Sequence, residues 1–60
     1  MIEKLKLLTI AEVARILKVT ERTVYNYIKG GSLKAAKIGK IWRIKATDLE
    51  MFIEEAIVNQ

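Results

Sequence analysis

Residues 9–29 read TIAEVARILKVTERTVYNYIK, and the fold turns on how this stretch divides. Thr9-Ile10-Ala11-Glu12 has the form of a capping box: the Thr9 hydroxyl can accept from the Glu12 N–H, and the Glu12 carboxylate can reach back to the Thr9 N–H. Ile10, Val13, Ala14 and Leu17 follow at i, i+3, i+4 and i+7, which predicts a helix over residues 10–17 with one apolar face. In Lys18-Val19-Thr20 two adjacent β-branched residues favour extended backbone, and Thr20 is a good N-cap for a second helix. That helix splits into two faces. Val24, Tyr27 and Ile28 form the apolar one, and Arg22, Tyr25, Asn26 and Lys29 form a polar, cationic and aromatic one.

Working outward, Gly30-Gly31 ends the second helix, because glycine accepts the left-handed backbone of a C-cap. The period then changes to two. Ala36, Ile38, Trp42 and Ile44 are expected to point inward from two short strands, with Lys37, Arg43 and Lys45 outward and Gly39-Lys40-Ile41 at the reversal. Thr47-Asp48-Leu49-Glu50 has the form of a second capping box, and Leu49, Phe52, Ile53, Ala56 and Ile57 give a third helix its apolar stripe. Residues 1–8 are expected to be loose or to form a short edge strand. The reading is one domain over 1–60, mainly α with a small β-hairpin: a helix pair over 10–29, a basic hairpin over 35–45 and a C-terminal helix over 47–57.

Composition limits the chemistry. There is no cysteine and no histidine, so disulfide staples, the usual zinc ligands and the commonest general base are all missing. Ser32 has no histidine to activate it, and Lys29-Gly30-Gly31-Ser32 lacks the spacing of a phosphate-binding loop. The expectation is a protein that is no enzyme and needs no cofactor, metal or small-molecule ligand. The hydrophobic share of 52% argues against disorder. No apolar run approaches the ~20 residues that span a bilayer, and Met1-Ile2-Glu3-Lys4-Leu5-Lys6 has no secretory character; a cytoplasmic chain without membrane contact is expected.

Charge is segregated. Residues 15–45 hold nine bases against the single acid Glu21, 9 − 1 = +8, whereas residues 46–60 hold four acids and no base. A middle that binds a polyanion, with a tail turned away from it, follows from that placement. Arg22 can donate twice to guanine, Asn26 can pair with adenine, and Lys29 and Tyr25 can hold phosphates. Lys37, Lys40, Arg43 and Lys45, within nine residues that contain no acid, suit a phosphate backbone or a minor groove. The competing readings are a solvated helix face and an edge hairpin that lysines protect from aggregation. Trp42 and Tyr27 are read as core, and Tyr25 as outward-facing.

Leu8-Thr9-Ile10-Ala11-Glu12-Val13-Ala14, Val19-Thr20-Glu21-Arg22-Thr23-Val24-Tyr25, Gly31-Ser32-Leu33, Ile38-Gly39, Trp42-Arg43-Ile44 and Asp48-Leu49 together resemble the excisionase-type and MerR-like winged helix-turn-helix domains. The resemblance covers about Leu8 to Ile53. It implies a recognition helix at Glu21–Lys29 in the major groove of duplex DNA and a wing at Ala36–Ile44 on the backbone or minor groove. It matches Arg22, Thr23, Tyr25, Asn26, Lys37, Lys40 and Arg43 to positions that contact DNA in such domains. An excisionase-like architectural factor or a small transcriptional regulator is implied, with other copies on adjacent sites or a recombinase as candidate partners. The alternatives are a module of a larger recombinase or regulator, and a protein-interaction winged helix. The long dimerising helix and ligand domain of effector-sensing relatives have no counterpart here, so effector control is not expected from this chain alone.

Overall fold

The computed structural model describes residues 6–57. Its elements are β1 (Leu7–Leu8), α1 (Ile10–Leu17), α2 (Glu21–Lys29), β2 (Ala36–Ile38), β3 (Ile41–Lys45) and α3 (Ala46–Ala56). This is the expected helix, turn, helix, hairpin, helix, with one addition. Leu7 and Leu8 pair antiparallel with Lys45 and Ile44, so the hairpin becomes a three-stranded sheet of order β1-β3-β2. The edge-strand expectation holds at residues 7 and 8; its remainder at residues 1–5 lies outside the described residues.

The first helix pair forms from local signals. At α1 the Thr9 N–H donates to Glu12 Oε1 at 2.8 Å and the Glu12 N–H donates to Thr9 Oγ1 at 3.1 Å, which closes the capping box. The helix ends at Leu17, as its spacing predicts, and the turn that follows has a specific form. Lys18 adopts a left-handed backbone, φ 61 and ψ 45, and the N–H groups of Lys18 and Val19 both donate to the Ala14 carbonyl. A left-handed C-cap thus makes the turn, at a conformational cost that glycine would not incur. Thr20 caps α2 by accepting from the Thr23 N–H at 3.1 Å. Beyond α2, Gly30 stays in the right-handed region, and Gly31, at φ +86, supplies the left-handed turn.

The core comprises Val13 and Ala14 of α1, Val24 and Ile28 of α2, Ile44 of β3, Leu49 of α3 and Leu33 of the connection. Tyr27 and Trp42 pack half-buried against it, as expected, and the Tyr27 ring meets Phe52 with centroids 5.0 Å apart. Leu33, in the connection between α2 and β2, is 1% exposed. The Ser32 and Leu33 N–H groups both donate to the Tyr27 carbonyl, which folds the chain back so that Leu33 drops into the core. Burying such a side chain contributes roughly 1.5–3 kcal/mol.

Two expectations fail at α3. The helix starts at Ala46 with Lys45 as N-cap, and no side chain caps it. Thr47 lies inside the first turn, and the second capping box does not form. The Ala46 N–H donates instead to the Lys6 carbonyl at 3.0 Å, so β1 backbone satisfies a donor for which the helix has no internal partner. The apolar stripe also buries less than its pattern suggests. Leu49 is buried and Phe52 half-buried, but Ile53, Ala56 and Ile57 are exposed, because no described element covers the last turns.

Candidate nucleic-acid interface

The outer face of α2 forms as its spacing requires. Val24 and Ile28 anchor the opposite face in the core, which turns Arg22, Tyr25, Asn26 and Lys29 to solvent. The Lys29 ammonium stands 5.9 Å from the Tyr25 ring centroid, within the ~6 Å of a cation–π contact. Lys29 and Tyr25 therefore lie side by side on this face, one presenting a charge and the other a hydroxyl. Thr23 is half-buried, and its hydroxyl shares a hydrogen bond with the Thr20 hydroxyl at 2.9 Å. Among the described residues the side-chain hydrogen bonds are those of the Thr9 and Thr20 caps, which leaves Arg22 and Asn26 with open donors and acceptors.

The hairpin obeys a different register from the one read in sequence. Its pairs are Ala36 with Arg43, Lys37 with Trp42, and Ile38 with Ile41, joined by the two-residue turn Gly39-Lys40. Gly39 has φ +65, whereas Lys40 has no positive φ, the arrangement in which a type II′ turn places glycine first. The expected three-residue reversal would have set Ile38 opposite Trp42. Shortening the loop by one residue exchanges the faces of β2 relative to β3. Lys37 therefore shares the inner face with Trp42 and the buried Ile44. Its ammonium lies 5.3 Å from the Trp42 ring centroid, a position that allows the stem to cover the ring while the charge stays wet. Ala36 and Ile38, expected inside, are exposed on the outer face with Ile41, half-buried Arg43 and Lys45.

The structure thus joins Tyr25 with Lys29 and Lys37 with Trp42, places Lys40 exposed at the hairpin tip, and sets Lys37 and Arg43 on opposite faces of the wing. What sequence reading missed is the outward pair Ile38 and Ile41. The available signal was the turn itself, since a glycine followed by one polar residue between two isoleucines fits a two-residue hairpin loop.

The surface is basic on one side. Between Glu21 and Asp48 the chain carries no acid, so the bases of the connection and the wing face no carboxylate from their own segments, and the one acid of α2 is Glu21 in its first turn. Of the exposed acids among the described residues, Glu50, Glu54 and Glu55 lie on α3, and Glu12 and Glu21 lie in the first turns of α1 and α2. An open cleft runs between the Gly31–Ser32 turn and α3, lined also by Lys34, Asp48, Phe52 and Glu55. No described helix is long and apolar enough to cross a membrane.

A family model described as a helix-turn-helix domain matches residues 7–56. Two Mycobacterium tuberculosis proteins, "Putative DNA-binding protein MT0521" of strain CDC 1551 / Oshkosh and "Putative DNA-binding protein Rv0500A" of strain H37Rv, are each 37% identical over 51 residues. Each match covers 85% of this chain and 65% of the relative. "Uncharacterized protein YvgK" of Bacillus subtilis is 46% identical over 44 residues, which is 73% of this chain and 14% of that protein. The chain therefore spans just under two thirds of the mycobacterial relatives.

Proposed function

The chain belongs to the helix-turn-helix domain family that its residues 7–56 match, and from that premise we propose that it binds duplex DNA with a preference for sequence. The observation that carries the reading is the pairing of an unobstructed α2 face, Arg22, Tyr25, Asn26 and Lys29, with a wing that bears Lys37, Lys40 and Arg43 and no acid. The mycobacterial relatives, named as putative DNA-binding proteins, point the same way.

In this reading α2 enters the major groove. Arg22 and Asn26 read base edges, and Tyr25 with Lys29 holds phosphates. Thr23, its hydroxyl already oriented by Thr20, contacts the backbone at the start of the helix. Lys40 and Arg43 follow the phosphates or the minor groove, and Lys37 adds charge from the inner face of the wing. The domain acts without catalysis, in the cytoplasm or nucleoid, as an excisionase-like architectural factor or a small transcriptional regulator. A second role, as the DNA-binding module of a larger recombinase or regulator, is favoured by the short share of its relatives that the chain covers.

Anisotropy titrations of mixed-sequence duplex over a range of salt test the reading. Each displaced counterion adds about −0.9 to the log–log slope, so several phosphate contacts give a steep line. Binding that is weak and insensitive to salt would assign the fold to protein interaction instead.

A further inference from the structure

Building on the DNA-binding reading, we infer that the wing carries an apolar wedge, Ile38 and Ile41, which inserts at a base step from the minor groove and kinks the duplex. The two isoleucines are cross-strand partners beside the Gly39-Lys40 turn, 56% and 53% exposed, on the face turned away from the core. Cross-strand partners hold their Cβ atoms about 5 Å apart, so the two side chains form one continuous apolar ridge. Such a cross-strand pair adds only roughly 0.2–1 kcal/mol to the hairpin, and exposed apolar surface at its tip invites association unless a partner covers it.

Charge selects the occupant. The ridge is bordered by Lys40 at the turn and by Arg43 and Lys45 on its own face, with no acid between Glu21 and Asp48. Cations around an apolar ridge fit a polyanion with a hydrophobic interior, which describes stacked base pairs between phosphate rows. Of the other exposed apolar side chains, Met51, Ile53 and Ile57 lie on or at the end of the acidic α3, where a polyanion is repelled, and Leu7 and Ile16 stand singly on β1 and α1. A minor groove about 6 Å wide is too narrow for two isoleucines unless it opens, and bending toward the major groove opens it. Unstacking is easiest at pyrimidine–purine steps and at mismatches, so the wedge adds a preference for flexible or already broken steps to the sequence read by α2.

The test uses the full chain and short duplexes labelled at both ends, one continuous and one with a central mismatch. The expected result is that binding shortens the end-to-end distance by energy transfer, and that the mismatched duplex binds about tenfold tighter because part of the unstacking is already done. Ile38→Thr with Ile41→Thr keeps β-branched side chains in both strands and removes no cation. It should retain the salt slope and lose both the bend and the mismatch preference. A wild-type chain that binds with a steep salt slope, yet neither bends DNA nor prefers the mismatch, overturns the wedge and leaves the DNA-binding reading intact. Absence of salt-sensitive binding overturns both. Self-association of the free wild-type chain that the double variant abolishes, with the bend unchanged, assigns the ridge to a second copy and also overturns the wedge.

Discussion

At the residue scale, Thr20 and Thr47 occupy similar-looking sequence positions with different consequences. The Thr20 hydroxyl accepts from the Thr23 N–H and bonds the Thr23 hydroxyl, whereas Thr47 sits one residue inside α3 and caps nothing. Thr20→Ala is predicted to cost about 1 kcal/mol in urea unfolding. Thr47→Ala should change stability by less than about 0.5 kcal/mol, since alanine is the better helix former; a cost equal to that of Thr20→Ala would contradict the described start of α3. Side chains that bind DNA divide in a similar way. Lys40→Ala removes a charge at the wing tip and should weaken binding about equally on every sequence, with a salt slope shallower by about one contact. Asn26→Ala should cost roughly 1–3 kcal/mol at one preferred base pair and relax the preference there. A loss spread evenly over all sequences would show that Asn26 reads no base.

The elements differ in where their instructions lie. α1 and α2 are specified within their own turns, by caps that reach three residues and by apolar groups that recur every three or four. The wing depends on a single loop length. Two residues between Ile38 and Ile41 fix which side of β2 meets Trp42, and hence that Lys37 shields the ring while the isoleucines face out. Gly39 holds this turn at φ +65 with open space around the position of a Cβ, so replacement there is penalised by the backbone and not by a clash. Gly39→Ala should therefore lower stability by about 1 kcal/mol, measured as a shift in thermal midpoint. A neutral outcome would mean that the hairpin tolerates another turn and that its register is less fixed than described.

For the whole molecule, a domain of this size has little stability in reserve, roughly 3–9 kcal/mol at 0.05–0.15 kcal/mol per residue. Leu33 lies at the meeting point of the connection and the core at 1% exposure. Leu33→Ala should cost about 2–5 kcal/mol and leave a substantial unfolded fraction at ambient temperature, visible as a shifted urea midpoint or a lost transition. A small effect would mean that the site collapses around the smaller side chain. The amino-acid sequence by itself determined the helix pair, the outward α2 face with Arg22, Tyr25, Asn26 and Lys29, and the segregation of bases from acids, because those signals act between residues one to four apart or are simply counted. Only the tertiary structure decided the burial of Leu33, the pairing of β1 with β3 and the start of α3 on the Lys6 carbonyl, and it settled the face on which Ile38 and Ile41 lie, for which the Gly39-Lys40 turn was the one local signal. β1 and α3 join through backbone groups from distant parts of the chain, Leu33 is buried by a core that α1, α2, β3 and α3 build together, and the wing depends on a register in which one residue reverses every side chain; none of these leaves a periodic trace in the local sequence.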